Sequence, residues 1–208
     1  MRIEKISSAT DRAGKHRLTF EDGTYMRLYR QTVEDFGLYP GLELDKEQLA
    51  KLREAAGHMS AKMRAVRIVS ASSVSRGDLE QRLIYKGEDP AQAKAAVQWM
   101  EDLDLLDDRK TAQQIVERCI HKGYGLSRAK QVLYQKRIPR DLWDEVLTDY
   151  PDQSEKIIEF LQSRLSPESE EREVKRAIDA LLRRGHSYGI IRRCLERLSL
   201  DTEDFSED

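Results

Sequence analysis

Apolar positions in the first 29 residues alternate with polar ones in short runs. Arg2–Ile6 carries Ile3 and Ile6 among charges, His16–Phe20 puts Leu18 and Phe20 on one face, and Tyr25–Tyr29 puts Met26 and Leu28 on one face. Between the last two runs stands Glu21-Asp22-Gly23-Thr24. An Asp-Gly pair between alternating runs predicts a hairpin with a type I′ turn, which needs positive φ at both central residues. The pattern therefore predicts a small antiparallel sheet over residues 1–29, which is marginal alone and must pack on something helical. Next, Asp45 is placed to cap a helix over Lys46–Ala56, with Leu49 and Leu52 inward and Gly57 just past its end.

From residue 60 the period changes to that of helices, and it repeats. Three segments superimpose on the steps Lys86-Gly87, Lys122-Gly123 and Arg184-Gly185. Eight residues before each Gly stand Leu79, Ile115 and Ala177; four before stand Leu83, Cys119 and Leu181; three before stand Ile84, Ile120 and Leu182. That stripe is one face of an amphipathic helix. Gly then ends each helix in the left-handed conformation, and the base beside it complements the negative end of the helix dipole.

A second helix is expected just past each Gly. Asp89-Pro90 reads as an N-cap with Pro in the first turn, and Ser127 and Ser187 are placed to cap the other two. The inward stripes are Ala93, Ala96 and Val97; Ala129, Val132 and Leu133; and Ile191, Cys194 and Leu195. Seven residues past every Gly lies a base: Lys94, Lys130 and Arg192. Further helices are expected at 60–70, 140–149 and 152–165, with Pro139 and Pro151 as breakers.

The expected fold class is mainly α: elongated tandem three-helix repeats, about nine short helices from residue 60 onward, behind a small N-terminal antiparallel β-sheet. The segments are a β-hairpin plus helix at 1–58, helical repeats at 59–106, 107–150 and 151–200, and a disordered acidic tail at 201–208. Each repeat is too small for a core of its own, so repeats are expected to stack into a curved rod.

Charge sharpens this picture. The 208 residues carry 36 bases and 38 acids, a net charge of −2, but residues 60–140 are net +6 and residues 141–208 net −8. A basic middle suits a polyanion or simply solvates helix faces. The longest stretch without a charged residue is the eight of Ile68–Ser75, against about 20 apolar residues for a membrane helix. The opening Met1-Arg2-Ile3-Glu4-Lys5 lacks the apolar run of a secretory signal, and two distant cysteines make no disulfide scaffold. A cytoplasmic protein without a membrane partner is expected.

No catalytic chemistry stands out. Phosphate-loop, dinucleotide and zinc-peptidase motifs are missing, and His16, His58, His121 and His186 have no ligand spacing to Cys119 or Cys194. The expectation is no catalytic residue, no metal and no cofactor. Asp107-Asp108 reads as a helix cap, Cys119 and Cys194 as buried thiols, and Trp99 and Trp143 as core. Tyr124 and Tyr188 either stack on a partner or pack between repeats. What remains is a binding surface, with Arg76, Arg82, Lys86, Lys94, Arg118, Lys122, Arg128, Lys130, Lys136 and Arg137 as its candidate residues.

The motifs also carry a resemblance. The run Ser75-Arg76-Gly77-Asp78-Leu79 through Lys86-Gly87, the step Leu105-Leu106-Asp107-Asp108, the stretch Arg118 to Lys136 with Gly123-Tyr124-Gly125, and the closing Leu182 to Leu195 resemble, in order and spacing, the RecX family of RecA modulators. The Glu21-Asp22-Gly23 hairpin and Phe36–Gly41 are similar to an extension found in some members. Two positions depart from the pattern: Arg109-Lys110-Thr111 lacks the usual aromatic, and Arg137 replaces a Gly. The resemblance implies a monomeric, non-enzymatic regulator in DNA repair, homologous recombination and the SOS response. It would dock along a RecA–single-stranded DNA filament and restrain ATP hydrolysis and strand exchange. The alternative is a RecA-independent single-stranded nucleic-acid-binding protein.

Overall fold

The computed structural model describes residues 1–198, so the acidic tail expected at 201–208 lies outside the described residues. It is mainly helical with a small N-terminal sheet, and it divides into two compact units, 1–106 and 107–208.

In the first unit, strands β1 (Ile3–Thr10), β2 (Lys15–Phe20) and β3 (Tyr25–Tyr29) form an antiparallel sheet in the order β1-β2-β3. A short helix α1 (Arg30–Asp35) leads to α2 (Lys46–Ala71), and α3 (Arg76–Tyr85) and α4 (Pro90–Asp102) follow. One face of the sheet buries Ile3, Leu18, Phe20 and Leu28 against Leu49 and Leu52 of α2. A second cluster joins Ala61 and Ala65 of α2 to Leu79, Leu83, Ala93, Ala96, Val97 and Met100. Full burial of Leu79 and Leu83 contributes about 1.5–3 kcal/mol each. Thus the sheet does pack on a helix, and the same helix carries the next core.

The second unit holds α5 (Asp108–His121), α6 (Leu126–Gln135), a 3₁₀ turn at Arg140–Leu142, α7 (Trp143–Leu147), α8 (Ser154–Gln162), α9 (Glu171–Arg183) and α10 (Tyr188–Arg197). One cluster gathers Ala112, Ile115, Val116, Cys119, Ala129 and Leu133; the other gathers Ile157, Leu161, Ala177, Leu181, Ile191, Cys194 and Leu195.

The repeated helix ends follow one design. Gly87, Gly123 and Gly185 have φ of 88°, 64° and 85°. After each, two backbone bonds close back: Gly87 N–H donates to Ile84 O and Glu88 N–H to Leu83 O, with the same pair at Gly123 and at Gly185. This satisfies carbonyls that the helix leaves unpaired. Arg137 closes α6 with the same two bonds at φ 52°, so the departure from Gly keeps the geometry. Left-handed backbone in a residue with a Cβ costs about 1–2 kcal/mol.

Four sequence expectations need correction. Helix α2 does not stop at Ala56 with a separate helix at 60–70; it runs unbroken through Gly57 for 26 residues. The buried stripe continues past Gly57 to Ala61 and Ala65, and one helical Gly costs only about 1 kcal/mol. Ten α-helices and a 3₁₀ turn stand among the described residues; from residue 60 onward, the end of α2 and α3 to α10 supply the nine helical stretches expected there. The Asp22-Gly23 turn is not type I′: Gly23 alone has positive φ, Gly23 N–H donates to Phe20 O, and the Asp22 carboxylate takes Thr24 N–H at 2.9 Å. That local bond favours a longer loop. Ser127 does not cap α6, which starts two residues earlier, at Leu126 behind Gly125. Leu182 is 42% exposed rather than inward, because Leu181 and Ile178 fill that stripe of α9. The caps at Asp45, Asp89, Asp107 and Ser187 form as expected.

Candidate partner-binding surface

The ten candidate cations fall into small groups, each inside one unit. In the first unit, Arg76 opens α3 and reaches Glu101 of α4 at 2.7 Å. Arg82 pairs with Asp78 one turn earlier at 2.9 Å, and Lys86 forms the end of α3. Lys94 stands exposed on the outer side of α4. Arg82 and Lys86 share a cleft with Lys15, Arg64 and Arg67, three cations that periodicity did not single out. The spacing of Arg64 and Arg67, three residues apart on one helix face, was the available signal; nothing local announced Lys15.

In the second unit, Arg118 lies exposed on α5, with its Nε–H donating to Gln114 O. Lys122 ends α5 and Arg128 sits in the first turn of α6; both stand near the Tyr124 ring, 6.0 and 5.9 Å from its centroid. Lys130 is exposed on α6. Lys136 and Arg137 end α6, where Arg140 lies over Tyr134 and Trp143 at 6.0 and 5.4 Å. Tyr134 is 65% exposed and Tyr85, beside Lys86, is 85% exposed.

The exposed ion pairs are weak holds. Surface pairs contribute about 0–1 kcal/mol, so an anionic partner can take over Arg76 at little cost. Lys94, Lys130 and Arg192 stand seven residues past their glycines and are all exposed. Each three-helix segment thus presents a base at the same place.

The remaining polar groups serve the fold. His186 is buried and its Nε2–H donates to Gly123 O at 3.0 Å; burial holds its pKa below the ordinary value. Tyr150 O–H donates to Tyr124 O at 2.6 Å, and burial pushes its pKa up to about 12. Cys119 and Cys194 are buried free thiols with pKa values raised by burial. Tyr124 and Tyr188 pack against the second unit's two cores. A cavity of about 460 Å³ in the second unit is lined by Gly125, Ser127, Gln153, His186 and Arg193. No helix is long and apolar enough to cross a membrane among the described residues.

The chain is similar to known proteins over most of its length. A family model described as RecX, second three-helix domain, matches residues 107–147. The chain is 23% identical over 202 residues to the regulatory protein RecX of Clostridioides difficile, across 94% of this chain and 95% of that one. It is 30% identical over 152 residues to the regulatory protein RecX of Chlorobaculum tepidum, across 72% of this chain and 94% of that one. A crystal structure of a regulatory protein RecX superimposes with a TM-score of 0.62 at 21% identity, covering 94% of this chain and 98% of its own. RecX from Lactobacillus salivarius superimposes with a TM-score of 0.57 at 25% identity, covering 71% and 99%. Repeated helix ends, their order along the chain, and these likenesses together place the chain in the RecX family of regulatory proteins.

Proposed function

We propose that this protein regulates the RecA recombinase without chemistry of its own, by seating its cationic groups on the RecA–single-stranded DNA filament. The observation that carries the reading is the recurring base: Lys94, Lys130 and Arg192 are each exposed seven residues past a base-glycine step. A base recurring at the same step of successive helix pairs suits a partner that is itself a polymer of equal subunits. Attraction to phosphates and acidic side chains steers the encounter, and charge-assisted hydrogen bonds hold it. A regulator shifts the filament only by the difference in its affinity for two filament states. Binding the state that precedes hydrolysis more tightly slows the ATPase and strand exchange.

The test is RecA's DNA-dependent ATP hydrolysis with stoichiometric regulator. Hydrolysis falls with the natural protein, and much less with Lys94→Glu, Lys130→Glu and Arg192→Glu combined. An unchanged rate with the natural protein ends the reading. A second reading, direct binding to bare single strands, is favoured by exposed Tyr134 beside Arg140, which offers a stacking ring next to a cation.

A further inference from the structure

The cleft between β2, α2 and α3 encloses about 410 Å³ and draws cations from three segments: Lys15, Arg64, Arg67, Arg82 and Lys86, with Ser72 at its wall. Two carboxylates balance them by direct contact. Glu88, 8% exposed, takes the Arg64 guanidinium and the Ser60 hydroxyl; Asp78 takes Arg82. The other three make no ion pair among the described residues. Lys15 Nζ donates to Ser60 Oγ at 2.9 Å and lies 5.0 Å from the Tyr29 ring centroid. Arg67 donates to Tyr29 Oη at 2.8 Å and to Met63 O at 3.1 Å. Lys86 is exposed at the end of α3.

Like charges gathered in a concave, partly dry place repel one another, and that cost needs a counterpart. Lys15 carries a burial cost: desolvation lowers its pKa, while Glu88 and Asp11 offset the repulsion of Arg64 and Arg67. Donors from a strand and two helices converge on one concavity instead of lying along a stripe. A carboxylate offers two oxygens; a phosphate offers more acceptors around one centre, and arginine forks match them.

We propose that this cleft is a phosphate-binding site, to which the N-terminal sheet contributes Lys15. The phosphate comes either from a nucleic-acid backbone or from a free polyphosphate group. The site needs no RecA; its nucleic-acid arm rests on the second reading above and deepens it, and oligothymidylate that binds the natural chain with a slope unmoved by the cleft variants would overturn the cleft while leaving that reading standing.

The experiment uses the full chain, with fluorescein-labelled oligothymidylate and inorganic tripolyphosphate as probes, across a sodium chloride series. Each phosphate contact on a single strand contributes about 0.7 to the slope of log affinity against log salt. Lys86→Gln, at an exposed side chain, lowers the slope by about 0.7, and Lys86→Gln with Arg67→Gln by about 1.4. Lys51→Gln, whose side chain pairs with Glu47 near the start of α2, leaves the slope unchanged. Urea midpoints check that the variants remain folded. A lowered slope without competition by tripolyphosphate assigns the site to a nucleic-acid backbone. Tripolyphosphate that binds the natural chain and is lost in the double variant assigns it to a free phosphate chain. Failure of both probes to bind, or variants that match Lys51→Gln with both, overturns the site. Both probes are read without RecA, so loss of the cleft and loss of the regulatory reading are distinguishable.

Discussion

Alanine at Gly87, Gly125 and Gly185, one at a time, separates two costs that the fold combines. At Gly87 φ is 88° and an added Cβ meets nothing within 4 Å, so only the backbone objects. Left-handed strain of about 1–2 kcal/mol, less roughly 0.5 kcal/mol for a stiffer unfolded chain, leaves about 1 kcal/mol. At Gly125 φ is −75°, which any residue adopts, but a Cβ would stand 2.1 Å from Gly185 O. There the loop after α9 lies on the start of α6, held by Gly125 N–H donating to Arg184 O at 2.9 Å. Separating them is an overpacking cost of about 1–3 kcal/mol. Gly185 suffers both: φ is 85° and its Cβ would lie 2.3 Å from Arg128 N. Its loss is the sum, about 3 kcal/mol. The two tryptophans provide the assay, because Trp99 lies in the first unit and Trp143 in the second. Urea unfolding is read by fluorescence from Trp99 in a Trp143→Phe background for Gly87, and from Trp143 in a Trp99→Phe background for the others. With a urea slope of about 1.5 kcal/mol per molar, the midpoint falls by about 0.7 M for Gly87→Ala and about 2 M for Gly185→Ala. A Gly185→Ala shift no larger than that of Gly87→Ala, or a neutral Gly125→Ala, refutes the account.

Two further outcomes follow from the packing. Burial holds the folded-state pKa of His186 below its ordinary 6.5, so its contribution is present above that pH and is lost as pH falls toward the lowered value. The melting temperature of the second unit therefore drops on acidification below about pH 6.5, and His186→Gln flattens that drop; equal profiles in the two proteins contradict the assignment. Gly57→Ala stabilises the first unit by about 0.5–1 kcal/mol, since the atom that its Cβ meets, Gln92 Nε2 at 2.2 Å, is the free end of a flexible side chain. A lowered Trp99 urea midpoint shows instead that the Gln92 amide is fixed in place.

The sequence alone determined the elements whose decisive contacts lie within a turn or two. Asp45, Asp89 and Asp107 cap helices because a carboxylate two or three residues from a free N–H closes a bond with no help from the rest of the fold. The base-glycine steps end α3, α5 and α9 because left-handed backbone pairs two stranded carbonyls locally. The stripes over Leu79–Leu83 and Ile191–Leu195 were legible because burial repeats with the helical period. Tertiary structure decided the rest. Gly57 stays helical because the core runs on beyond it, and Leu182 stays exposed because Leu181 and Ile178 take the buried side of α9. The cleft is the clearest case: Lys15 reaches Ser60 across 45 residues of chain, and Arg67 reaches Tyr29 across 38. No short-range pattern encodes such meetings, since they depend on which face of the sheet settles on which side of α2, and that is fixed by the burial of Leu18, Phe20 and Leu28 against Leu49 and Leu52.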